Sequence, residues 1–185
     1  ATGAWAVEWM DGKWEDDGKY SWVKAPRFEG KPMQVGPLAQ VLVGFAQKHE
    51  PTVRWAVKTL ETVGAIAKTK VGPEILHSTL GRHAARMIRT CMIAEITQKH
   101  WKLLVENIGK GDTEIFRKPE FPSGEQRGFG FHEAPRGTLS HWIIIKDGKI
   151  ANYQAVVPST WNAGPRDAKG QVGPYEASLI GNPIA

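Results

Sequence analysis

An α+β fold is predicted for this chain by three observations. Apolar residues recur at helical spacing from Pro37 to about Asn107, two β-rich runs lie near the end, and Asp147-Gly148 joins those runs. The expected architecture is mainly a helical bundle followed by a β-hairpin. A chain of 185 residues with 41% hydrophobic content has enough apolar material for one sizeable core.

Residues 1–37 are rich in Gly, Trp and charge, and they read as an irregular opening segment. Short strand-like pieces at Trp5 to Met10 and Tyr20 to Lys24 are separated by turns at Asp11-Gly12 and Asp17-Gly18. From Pro37 the pattern becomes helical. Leu38, Val41, Leu42, Phe45 and Ala46 share one face, and Glu50-Pro51-Thr52 opens a second helix through Val53, Val57, Leu60, Val63 and Ile66. Ser78 or Thr79 can cap a third helix reaching about Asn107. Its apolar positions Leu80, Ala84, Met87, Cys91, Ala94, Ile96, Trp101, Leu104 and Ile108 imply burial on more than one side at its middle. Residues 38–109 are thus the bundle segment, and 110–130, dominated by Gly, Pro and charge, read as a connecting loop. Residues 131–185 carry the hairpin and the polar return; all four zones are expected to belong to one domain piece.

The hairpin is the most specific local prediction. Leu139 to Lys146 and Lys149 to Val157 flank Asp147-Gly148, the dipeptide that best tolerates positive φ at both centres of a type I′ turn. A two-residue loop sets Lys146 opposite Lys149 and Trp142 opposite Tyr153. It also brings Arg136 and Ser159 to the same edge.

Composition narrows the function. The net charge of +5 raises nucleic acid as a partner, but basic residues are scattered among acidic ones. No zinc-finger, RNA-recognition or phosphate-loop pattern occurs, so nucleic acid is not expected as a partner. A single cysteine, Cys91, excludes an internal disulfide and leaves any cysteine-based metal site short of ligands. It reads as a buried structural thiol. The six histidines form no HExxH pattern, and Asp167 and Glu176 with Arg166 and Lys169 read as a polar network anchoring the last turns. Of the eight tryptophans, Trp5, Trp9, Trp14, Trp22 and Trp55 fall in the first third, where local packing and docking on further chain or a partner subunit are both open.

Two positions stand out chemically. Arg136 follows Pro135, which fixes φ and biases Ala134 toward extended backbone, and precedes Gly137, which permits close approach. Its guanidinium is either tied to Glu133 or a backbone carbonyl, or held to aim at a ligand. Ser159 lies in Pro158-Ser159-Thr160, where a hydroxyl commonly satisfies local backbone.

Glu133 to Gly137 (EAPRG), His141 to Gln154 (HWIIIKDGKIANYQ), Val156 to Gln171 (VVPSTWNAGPRDAKGQ) and Gly173 to Pro183 (GPYEASLIGNP) together resemble the late portion of nickel-iron hydrogenase large subunits. Tyr20 to Ala39 and Gly81 to Thr90 resemble the middle of the same subunit, so the likeness covers nearly the whole chain. That family holds its metals with two Cys-x-x-Cys segments, neither of which is present here, and Gly181 to Ala185 ends where the second would be expected to follow.

The resemblance implies reversible oxidation of dihydrogen to protons and electrons. It implies a nickel-iron centre with CN and CO ligands and a magnesium ion in the complete subunit, and none of these on this chain alone, which is expected to be inactive. It gives Arg136 a catalytic role over the open coordination position, as base or as an orienting charge. Pro135, Val157, Pro158 and Ser159 surround the diatomic ligands of iron, and the backbone carbonyl of Ala155 corresponds to a magnesium ligand. The implied partners are an iron-sulfur small subunit, the remaining segments of the large subunit, and H2 as substrate. No apolar run of transmembrane length occurs. The family's exported large subunits travel with the small subunit, which implies a periplasmic or membrane-associated location and leaves the cytoplasm open. A non-catalytic scaffold or interaction module of the same descent is the leading alternative. A soluble enzyme using Arg136 with Glu133 and His132 is another, and it requires those side chains to converge.

Overall fold

Among the described residues, a proline or a serine cap starts each helix, and a left-handed lysine follows each of the first two. The computed structural model describes residues 26–120, 122–167 and 169–182. The strand pieces expected at Trp5 to Met10 and Tyr20 to Lys24, and the tryptophans Trp5, Trp9, Trp14 and Trp22, lie outside the described residues.

Helix α1 spans Pro37–Ala46 and begins on a proline, whose fixed φ suits a first helical turn. Lys48 then adopts φ 56°, and α2 follows at Glu50–Ala67 with Pro51 in its first turn. It ends on Lys68 in the left-handed conformation, whose N–H returns to the Gly64 carbonyl. A 3-10 turn at Pro73–His77 leads into α3, Thr79–Gly109. As the sequence suggests, Ser78 caps α3, its hydroxyl oxygen accepting from the Gly81 N–H at 3.0 Å.

These elements close on one core. Leu38 and Val41 of α1, Ala56 of α2, Leu76 of the 3-10 turn, and Ala85, Ile88 and Met92 of α3 are buried together. The small residues set how closely the helices approach. A Cβ on Gly44 would stand 2.7 Å from the Thr52 Oγ1, and Thr52, itself buried, bonds to the Met92 sulfur at 3.5 Å. At the rim, Arg54 reaches across from α2 to both carboxylate oxygens of Glu95 on α3 at 2.9 and 2.8 Å, and Trp55, half-buried against the core, donates to Glu95 at 3.1 Å. The Arg54 hydrogen bonds hold the Glu95 carboxyl below its ordinary range, with a smaller contribution from Trp55.

The expected two-sided burial of α3 is not what forms. Its buried residues are Gly81, Ala85, Ile88 and Met92, a single stripe at i, i+4, i+7 and i+11. Leu80, Met87, Ile96, Trp101, Leu104 and Ile108 are exposed. The third helix outruns its partners, which cover only its first half. Cys91 is half-buried beside that stripe.

The stretch 110–130, expected to be a connecting loop, is a loop only to Gly124. Strand β1 runs Glu125–Ala134, β2 Gly137–Lys146 and β3 Lys149–Val156, in the order β1-β2-β3. The expected hairpin is therefore the second half of a three-stranded antiparallel meander, and the fold remains α+β. Asp147 and Gly148 have φ 50° and 73°, as a type I′ turn requires. Asp147 also ties β1 to the turn, because its carboxylate and N–H meet the N–H and carbonyl of Gly124. Farther along, His141 meets Tyr153 through a ring contact and a hydrogen bond, so the register is one residue away from the Trp142–Tyr153 pairing expected from the loop alone.

Two compact units are distinguishable. One comprises Pro37–Gly130 and His141–Gln154; the other comprises the described parts of residues 1–36 and 155–185 with Phe131–Ser140. The second closes with two short helices, α4 at Pro158–Asn162 and α5 at Pro174–Leu179.

Candidate active site

Every residue singled out from the sequence for chemistry lies in the second unit. Pro135-Arg136 is the two-residue turn between β1 and β2, a hairpin that could not be anticipated without β1. Ala155 lies near the end of β3, Val157 precedes α4, and Pro158 and Ser159 form its first turn, with Pro158 buried.

Around this turn the backbone is packed too tightly for side chains. Gly137 has φ +132°, and a Cβ there would lie 2.6 Å from the Val35 side chain and 2.7 Å from the Gly36 nitrogen. Gly36 has φ +116°, and its Cβ would lie 2.7 Å from the Arg136 carbonyl oxygen. Both positions thus require glycine for conformation and for space. Asn162, at the end of α4, spans the two segments. Its Oδ1 accepts from the Val35 N–H at 3.0 Å, and its Nδ2 donates to the Arg136 carbonyl at 3.3 Å. Arg27 braces the same unit by donating to the Pro165 carbonyl at 3.0 Å.

Several polar side chains of this unit are engaged. Thr138 donates to Glu133 at 2.6 Å. Arg166 pairs with Glu176, and Asp167 accepts from the Lys169 and Gln171 amides, which is the anchoring network expected for the last turns. Among the described residues, the exposed Arg136 guanidinium and the half-buried Ser159 hydroxyl have no hydrogen-bond or ion-pair partner. The tie from Arg136 to Glu133, one of the two readings open from sequence, does not form. Nor do Arg136, Glu133 and His132 converge, because His132 and Glu133 are consecutive on β1 and so project to opposite faces.

The sequence pattern of the nickel-dependent hydrogenases matches residues 2–185. The chain belongs to that family. Over 177 residues it is 52% identical to the hydrogenase-2 large chain of Escherichia coli, covering 93% of this chain and 30% of that one. Over 168 residues it is 45% identical to the quinone-reactive Ni/Fe-hydrogenase large chain of Wolinella succinogenes, covering 90% and 28%. Among solved structures, the [NiFeSe]-hydrogenase of Dm. baculatum superposes with a TM-score of 0.71 at 37% identity, over 92% of this chain and 33% of that one. The chain thus spans about 30% of the length of the curated relatives it matches.

Membership of the family implies a nickel-iron centre in the full subunit, and the donors among the described residues do not amount to one. Among the described residues no three His, Cys, Asp or Glu side chains come together, and the chain's one thiol, Cys91, is on α3. Nickel and iron in such a centre need soft thiolate donors. Among the described residues no helix is long and apolar enough to cross a membrane.

Asn162 and the Val35-Gly36 segment were not singled out from sequence. A signal was available, since both lie inside the blocks that carry the family resemblance, Val35-Gly36-Pro37 and Trp161-Asn162-Ala163-Gly164.

Proposed function

We propose that this chain is the part of a hydrogenase large subunit that surrounds the reacting site, in an enzyme that reversibly oxidises H2 to protons and electrons. The observation that carries this reading is the setting of Arg136. Its exposed guanidinium, without a partner among the described residues, sits on a turn held by Pro135, Gly137 and the closely packed Gly36. A preorganised donor without an internal partner is what a site needs wherever charge develops on a substrate.

In this reading Arg136 is the catalytic residue, meeting dihydrogen as a base or as an orienting charge. The Ser159 hydroxyl donates to a diatomic ligand of iron, Pro135, Val157 and Pro158 form the adjoining apolar wall, and the Ala155 carbonyl is a magnesium ligand. The metal centre's thiolates come from other segments of the large subunit, and electrons pass to an iron-sulfur small subunit. The apolar residues exposed along α3, among them Trp101, Leu104 and Ile108, support packing against such further chain. In this reading the subunit is exported with the small subunit to a periplasmic or membrane-associated location.

The test is made on protein purified from its native source. Nickel, iron and hydrogen uptake in a subunit well above 20.5 kDa are expected. A metal-free, inactive protein of 20.5 kDa would replace this reading with the non-catalytic scaffold.

A further inference from the structure

We propose that Asn162 is a positioning residue for Arg136, acting by holding the peptide group that carries it. The inference rests on the reading of Arg136 as the group that meets substrate. Asn162 donates to the Arg136 carbonyl and accepts from the Val35 N–H, so one side-chain amide fixes two backbone segments distant in sequence. Against the same carbonyl, beside the Asn162 amide, lies Gly36, where even a Cβ would press to 2.7 Å. The Arg136 carbonyl is therefore held by both, and the plane of the Arg136-Gly137 peptide is set by them.

Among the described residues the Arg136 side chain has no such support. Its guanidinium has no partner among the described residues, so the direction in which it projects depends on its backbone. For a reacting group, a misplacement of about 1 Å costs on the order of a hundredfold in rate. Asn162 also ends α4, the helix that begins with Pro158 and Ser159. It thereby ties the segment carrying the hydroxyl to the turn carrying the guanidinium.

The test uses the complete holoenzyme. Asn162→Asp keeps an acceptor for the Val35 N–H and replaces the donor to Arg136 with a repelling oxygen. The expected result is a fall in kcat of about tenfold or more per nickel, with KM for H2 changed less than about twofold. Hydrogen exchange should quicken in a peptide covering residues 131–140 and stay unchanged in one covering 26–36. In an Arg136→Lys background, Asn162→Asp should lower kcat by less than about twofold further, because the two positions act as one unit. Should Asn162→Asp fail to assemble, Asn162→Ser removes the reach without adding charge and should lower kcat and quicken exchange in both peptides. Unchanged exchange at 131–140, unchanged kcat in an active Arg136-dependent enzyme, or full multiplication of the two losses would each overturn the proposal. If Arg136→Lys alone leaves kcat unaltered, it is the reading of Arg136 that fails; the exchange rates still decide whether Asn162 holds the turn.

Discussion

The helical unit and the unit around Arg136 are held together by opposite means. In the first, Leu76, Ile88 and Val41 are fully or nearly fully buried, and side-chain volume fixes the structure. In the second, the buried residues include Pro32, Gly36, Gly137, Pro158, Gly164, Gly173 and Pro174, and single side chains such as Asn162 and Arg27 bond to distant backbone. Apolar packing tolerates small shifts by repacking, whereas backbone packed on backbone has little freedom to shift. The first arrangement supplies stability; the second supplies a defined geometry for a side chain that has no partner of its own among the described residues.

That contrast predicts different responses to substitution. The largest loss of stability should come from the helical core: Ile88→Ala or Leu76→Ala is expected to cost about 2–5 kcal/mol, read by denaturant titration followed by circular dichroism. Next, Gly36→Ala should cost about 1–3 kcal/mol through strain and crowding against the Arg136 carbonyl. The same variant should lower hydrogen uptake far more than Ile88→Ala does at a temperature where both are folded. Equal effects of the two on activity would erase the distinction between the units.

Ser78→Ala removes the cap of α3 and should cost about 1 kcal/mol without altering uptake. The smallest effect belongs to the exposed Arg54–Glu95 pair. Because Arg54 and Trp55 lower the Glu95 carboxyl, its contribution to stability is present above the ordinary carboxylate pKa and is lost as pH falls through the lowered folded value. Glu95→Gln should flatten that acid dependence in a series of melts across pH, and an unchanged slope would remove the pair from the account.

The helices and the Asp147-Gly148 turn were legible in the sequence because each carries its own local signal: helical spacing, a serine cap, a dipeptide suited to positive φ. Strand β1 was not, since Gly128 and Gly130 alternate with Phe129 and Phe131 and the segment reads as glycine-rich loop. The burial of α3 was overestimated because periodicity shows which residues are apolar, not whether a neighbour reaches them. At the site, Pro135, Arg136 and Ser159 were visible as residue types in short turns. Asn162 was not, because its bonds join Val35 to Arg136 across most of the chain and leave no local pattern.

The most direct test of the central claim is hydrogen oxidation by Arg136→Lys in the complete enzyme, with nickel and iron counted per subunit. The account predicts unchanged metal content and a kcat lower by about a hundredfold or more, the size of loss expected when one preorganised donor to a reacting group is removed. Full activity at full metal content would show that Arg136 is a structural turn residue and contradict the role assigned to it.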